Sequence, residues 1–277
     1  MRSANSLRHT FADLHRDGCF AIPNPWDRGS VRLLEELGFK ALATTSAGFS
    51  FSRGLPDALD ALTVEEVLAH VADVVSVSRL PVNADFQSGY ASDPDGVAEN
   101  VRRCVSTGVA GLSIEDAAGA GALFEREEAV ERVRAARGAI DESAPDVLLT
   151  ARAECFLTDH PDPLAESVWR LEAYAAAGAD VLFAPGVRER DDIRTLVSAV
   201  APRPLNVLMS ADTGLRMNDL EELGVRRVSV GSALSRVAWG AFLRAARGIA
   251  QDGSFAGLRG AAAFDELNQL FAVSRAG

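Results

Sequence analysis

Lysine is almost absent from this chain: Lys40 is the sole one, so nearly all positive charge is arginine. Any Schiff-base or lysine-catalysed scheme would have to run through Lys40, which lies just before an apolar strand at the expected bottom of the fold. Cysteine is scarce too. Cys19, Cys104 and Cys155 stand far apart with no C-x-x-C spacing, which indicates neither a zinc site nor a disulfide framework. His9, His15, His70 and His160 contain no H-x-x-x-H pair, so a histidine-built metal site is not expected. Long apolar runs are missing, and none approaches the ~20 residues of a membrane-spanning helix. The opening MRSANSLRHTFADLHRDG lacks the apolar centre of a secretory signal, so a cytoplasmic protein is expected. Basic residues are outnumbered, 28 against 39 acidic, for a net charge of −11. That balance argues against nucleic acid and anionic membrane as partners. An anionic substrate would then need a local cation, either a metal or a placed arginine.

What the 277 residues do contain is a repeated alternation. Short apolar runs recur as CFAIPN, ALATTS, PVNADF, GLSIED, VLLTARAE, DVLFAP, PLNVLM and RRVSVG, separated by amphipathic Ala/Glu/Arg-rich stretches. Ala129, Val133 and Ala136 show the three- and four-residue spacing of one buried helical face. Near-continuous apolar strands between helices predict parallel strands covered on the outside by helices. Eight such units predict an α/β fold, a single (β/α)8 TIM-type barrel over residues 1–277. An extra helix is expected around Arg8 to Asp17, and residues 253–277 are expected to form a C-terminal helical extension.

In such a barrel chemistry sits where strands end. The polar residues at those ends are Asn24, Thr45, Ser46, Asp85, Gln87, Glu115, Asp116, Arg152, Glu154, Asn206, Gly231 and Ser232. Asp85 and Glu115 end consecutive strands and should converge, which two carboxylates resist unless a cation lies between them or one is protonated. Hard oxygen ligands with open water positions suit Mg²⁺. The competing reading has Asp85 capping its loop and Glu115 pairing with Arg152. Arg152 suits bidentate capture of a substrate carboxylate, against a structural ion pair with Glu115 or Glu154. The two coexist if Glu154 holds the arginine in place. Backbone N–H groups from Ser46 to Gly48 could face a developing oxyanion. Asp93 before Pro94 reads as the cap of the next helix.

TTSAGFSFSRGLPD, NADFQSGY, GLSIED and LTARAE, in this order and spacing, resemble the isocitrate lyase / phosphoenolpyruvate mutase superfamily over roughly Phe11 to Ala245. The resemblance implies that Asp85 binds Mg²⁺ and that Glu115 holds a metal-bound water. It puts Gln87 where relatives carry a second acid, able to reach the metal only through water. It implies Arg152 for the substrate carboxylate, Asp57 among the catalytic residues, and Ser46, Ala47 and Gly48 as the oxyanion loop, with Thr45 and Asn206 added as substrate-binding. It further implies a homo-oligomer, a dimer or tetramer, with a swapped last helix. The loop EDAAGAGALFERE departs from the family, lacking the Cys, Lys and His that standard isocitrate lyases and phosphonopyruvate enzymes place there. The implied function is a Mg²⁺-dependent C–C lyase or decarboxylase acting on a small 2-oxo or 2-hydroxy dicarboxylate through an enolate. Glu154 or Tyr90 would supply any base. The alternatives are a phosphonopyruvate-type P–C enzyme and a barrel that binds a 2-oxo acid and Mg²⁺ with little turnover.

Overall fold

The computed structural model describes residues 3–119 and 121–273. Eight parallel strands form the barrel: β1 (Phe20–Ile22), β2 (Leu42–Ala43), β3 (Val82–Asp85), β4 (Gly111–Glu115), β5 (Leu148–Arg152), β6 (Val181–Phe183), β7 (Leu205–Leu208) and β8 (Arg227–Ser229). They run in sequence order around the sheet, with β8 pairing back to β1. The seam between β1 and β2 is spanned by the Ala43 N–H donating to the Pro23 carbonyl at 3.1 Å. Each strand falls inside one of the eight apolar runs read from the sequence.

Strand residues alternate between two environments, as a two-residue period requires. Ala84, Leu112, Ile114, Leu149, Ala151 and Leu182 face outward into the main core, where helices contribute Val97, Val101, Val133 and Leu171. Asn83 and Asp85, Ser113 and Arg152, and Asn206 and Arg227 face the barrel interior. The interior is therefore polar above its floor.

The extra N-terminal helix runs Ala4–Leu14, earlier than expected, because Ser3 caps it by accepting from the Ser6 N–H. Its Phe11 is fully buried and plugs the barrel bottom with Phe20, Ile22, Ala41 and Ala110. Lys40 lies exposed at that same end, away from the strand C-termini. Asp93 accepts from the Gly96 N–H at 2.8 Å ahead of Pro94, so the cap expected there forms.

Past β8 a helix spans Ala233–Asp252 and stops at Gly253, whose φ of 62° a glycine adopts without strain. Only Ser235 of this helix is buried. Val237 is 67% and Phe242 60% exposed, so part of the helix's apolar surface stands open in the single chain. The chain continues to a helix at Phe264–Val273, and residues 274–277 of the expected extension lie outside the described residues. Among the described residues no helix is long and apolar enough to cross a membrane.

Candidate active site

A cavity of about 270 Å³ opens at the C-terminal ends of the strands. Thr45, Ser46, Ala47, Asp57, Asp85, Arg152 and Asn206 all line it. Arg152 is its hub. Nη1 lies 2.8 Å from Asp85 Oδ1 and 3.1 Å from Glu115 Oε2, while Nε and Nη2 both hold Glu154 Oε1, at 2.9 and 2.8 Å. The adjacent strand ends β3, β4 and β5 are what bring these groups together. Glu115 and Glu154 are buried and stand outside the cavity lining.

The loop after β2 behaves differently from the expected trio of free donors. Thr45 caps the short helix Ser46–Ser52, and its Oγ1 accepts from the Gly48 N–H at 3.2 Å. The Ser46 N–H donates to Asp85 Oδ2 at 2.9 Å. Both are committed within the protein, which leaves Ala47 as the member of the trio that lines the cavity with its N–H unclaimed among the described residues. Gly48 is a packing glycine: a Cβ there would meet Thr45 Cγ2 at 2.6 Å.

The loop after β3 holds Gln87 and Tyr90 in left-handed backbone, at φ 41° and 53°, which is uncommon away from glycine. Asn100 secures it by donating to the Gly89 and Tyr90 carbonyls, each at 3.0 Å. The Gln87 carbonyl accepts from the Glu115 N–H at 2.9 Å, and its buried side chain lies outside the cavity lining. Tyr90 also lies outside it, with Oη buried and without a hydrogen-bond partner among the described residues. Burial, then the charges of Asp85 and Glu115, push the Tyr90 phenol upward. It stays protonated at neutral pH, so Tyr90 is no ready base.

The acids repel one another. Burial raises the Glu115 carboxyl well above its usual range against the opposing pull of Arg152, with Glu154, Asp85 and Asp116 adding to the rise. Burial is also the main cause of the rise at Glu154. Asp57, on the exposed rim, is raised by partial desolvation and by Asp85. One arginine thus faces Asp85, Glu115 and Glu154 directly, with Asp57 close enough to be felt.

That surplus of negative charge is the test of whether a divalent cation fits. Among the described residues no three His, Cys, Asp or Glu side chains gather as a metal cage. Magnesium asks for less, keeping several waters and taking one or two carboxylates. Asp85 and Glu115 converge on one point, both reaching the same Arg152 nitrogen, and offer hard oxygen donors. The donor set fits Mg²⁺.

Asp116 faces the other way. Its Oδ2 accepts from the Tyr174 hydroxyl at 2.6 Å and from Arg170 at 3.1 Å, and its Oδ1 accepts from the Glu154 N–H at 2.9 Å. It braces the backbone of Glu154. Asn206 lines the cavity but spends its amide on Ser229 and Arg227. Asn83, Ser113, Arg227 and Ser229 line the cavity without having been singled out. The signal for them was available, since each lies an even number of residues along its strand from an inward-facing neighbour.

A parallel eight-stranded barrel with acids and one arginine meeting at its C-terminal mouth has its polar groups where barrel enzymes carry their chemistry. The phosphoenolpyruvate phosphomutase family matches residues 11–250. The chain belongs to that family, within the isocitrate lyase / phosphoenolpyruvate mutase superfamily, whose members include carbon–carbon lyases. A crystal structure of a putative lyase/mutase from Burkholderia cenocepacia J2315 is 44% identical, with TM-score 0.92 over 97% of this chain and 96% of that one. Oxaloacetate decarboxylase from Paraburkholderia xenovorans LB400 is 31% identical over 79% of this chain and 73% of its own. 2-Methylisocitrate lyase from Escherichia coli K12 is 33% identical over 68% and 65%. Magnesium use is typical of the family.

Proposed function

We propose that the chain is a Mg²⁺-dependent lyase or decarboxylase of a small 2-oxo or 2-hydroxy dicarboxylate. The observation that carries this is Arg152 held among Asp85, Glu115 and Glu154 at the cavity wall. Asp85 would hold the ion directly, Glu115 through water, and Gln87 only indirectly. When bound, the ion supplies Lewis-acid polarisation of the substrate's 2-oxo oxygen. Arg152 supplies a fixed positive charge for the substrate carboxylate, oriented by Glu154. The Ala47 N–H is the backbone donor available to charge developing on the oxo oxygen. The cavity of about 270 Å³ suits a ligand smaller than the drug-sized occupants of typical ~300–1,000 Å³ sites.

Decarboxylation of an oxaloacetate-like acid asks for no base to begin it, which suits a mouth whose Tyr90 is protonated and whose Glu154 is bound to Arg152. The loop after β4 forms a small hairpin, Ala117–Gly119 against Ala122–Leu123, and carries no Lys, Cys or His. This disfavours phosphonopyruvate chemistry and standard isocitrate cleavage. The exposed apolar face of Ala233–Asp252 supports a homo-oligomer, dimer or tetramer, that covers it.

The test is a steady-state panel of oxaloacetate, substituted malates and phosphonopyruvate, each with and without Mg²⁺. Metal-dependent turnover of a carbon acid is expected. Turnover of phosphonopyruvate alone, or binding without turnover across the panel, would replace this reading.

A further inference from the structure

Three polar residues, each four positions from the next, face inward from one outer helix. Glu166, Arg170 and Tyr174 of the helix Pro163–Ala176 are 7%, 5% and 1% exposed, and their spacing aligns them on one side. Such a face ordinarily buries apolar side chains, because a buried charge is costly unless it is paired. Here the charges are paired in a chain. Arg170 Nε donates to Glu166 Oε1 at 2.7 Å. Arg126 holds the same carboxylate from the more exposed side, Nε to Oε1 at 3.1 Å and Nη2 to Oε2 at 2.5 Å. Arg170 Nη1 and the Tyr174 hydroxyl both donate to Asp116 Oδ2, at 3.1 and 2.6 Å.

None of these side chains lines the cavity. The network reaches the site through Asp116, whose Oδ1 accepts from the Glu154 N–H at 2.9 Å. Glu154 stands two residues past Arg152 with φ −82° and ψ 12°, in the sparsely populated bridge region. Its Oε1 accepts from both Nε and Nη2 of Arg152. On the opposite side Asp85 and Glu115 share a single nitrogen, Nη1, which alone would let the guanidinium plane turn. The two-nitrogen contact with Glu154 removes that freedom.

We infer that Asp116 is a positioning residue for the reaction: clamped by Tyr174 and Arg170, it sets the Glu154 backbone and, through the Glu154 carboxylate, the direction in which Arg152 points. The inference rests on Arg152 receiving the substrate carboxylate. A misplacement of about 1 Å at such a group can cost about a hundredfold in rate. A purely structural brace would tie the helix to the barrel and leave the site indifferent to its loss.

The experiment uses the full chain and two readouts. The first needs no ligand: the ¹⁵N–¹H Nε signal of Arg152, assigned by its absence from Arg152→Lys, which a held guanidinium shows and a freely exchanging one loses. The second is oxalate affinity by calorimetry with Mg²⁺ present. Asp116→Ala should lose or shift the Nε signal and weaken oxalate about tenfold, the scale of a lost charged hydrogen bond. Arg126→Met cuts the same network at its far end, and should lower the urea midpoint while both readouts stay as in wild type. In a Glu154→Ala background, Asp116→Ala should cost little further oxalate affinity, because the residue it acts through is gone.

A wild-type signal and wild-type oxalate affinity in folded Asp116→Ala would overturn the inference. So would additive losses in the double variant, or an equal weakening of oxalate by Arg126→Met. If Asp116→Ala does not fold, Tyr174→Phe removes a single hydroxyl and should move both readouts the same way, about threefold in oxalate; no movement in either would overturn the inference. A wild type that fails to bind oxalate, while Asp116→Ala still loses the Arg152 signal, would instead remove the proposed mouth and leave the positioning link standing.

Discussion

Asp85 and Arg152 face each other across the mouth at 2.8 Å, Oδ1 to Nη1, joining strand ends 67 positions apart in sequence. The same Arg152 nitrogen reaches Glu115, and the rest of the guanidinium holds Glu154. The pair locks three neighbouring strands through one side chain, and it concentrates acid where a cation is wanted.

Removing the arginine should therefore be felt in the fold as well as in catalysis. Arg152→Met leaves two buried carboxylates, Glu115 and Glu154, and the half-buried Asp85 without their cation, a change that costs about 3–5 kcal/mol where a buried pair is broken from one side. Denaturant unfolding of the variant without Mg²⁺ should show that loss. An unchanged midpoint would mean the ion pairs contribute nothing to the barrel.

Two buried histidines should destabilise the fold as pH drops below about 6.5, against the opposite effect of the raised Glu115 and Glu154 carboxyls. His15 and His70 are buried and held neutral, their pKa values lowered mainly by burial to about 3 and about 4. The unfolded chain takes up protons at both positions that the folded chain refuses, so unfolding gains on acidification until each folded pKa is passed. The slope is up to about 1.4 kcal/mol per pH unit per histidine. Urea midpoints for wild type and for His15→Gln with His70→Gln check this. Acidification from neutral pH should destabilise the double variant less than wild type, and an identical pH dependence would contradict the assignment.

The exposed face of Ala233–Asp252 predicts assembly. Light scattering should give a mass at a multiple of the 29.3 kDa chain. Val237→Glu with Phe242→Glu, placing charge on side chains that are largely exposed in the single chain, should lower that mass without unfolding the barrel. A wild-type monomer at micromolar concentration would contradict the prediction.

The strands were legible because their runs are apolar on the outward face and the helices between them carry clear caps, such as Asp93 before Pro94. The convergence of Asp85, Glu115 and Arg152 was legible from strand-end position alone. Partners distant in sequence were not. Nothing local shows that the Ser46 N–H is taken by Asp85, 39 residues on, or that Asp116 turns away toward Tyr174 and Arg170. Arg227 opens β8 rather than ending it, so strand-end position does not point to it, although its interior position follows from the same two-residue alternation.

The central claim is that Asp85 and Glu115 hold a Mg²⁺ that the reaction needs. Its most direct test measures Mg²⁺ affinity in the presence of oxalate, together with turnover of the best carbon acid, for wild type and Asp85→Ala. Wild type should bind one Mg²⁺ and lose turnover on chelation. Asp85→Ala should bind the ion at least about tenfold more weakly, as loss of a charged ligand implies, and turn over little. Full metal-dependent activity in Asp85→Ala, or wild-type activity that survives chelation, would contradict the account.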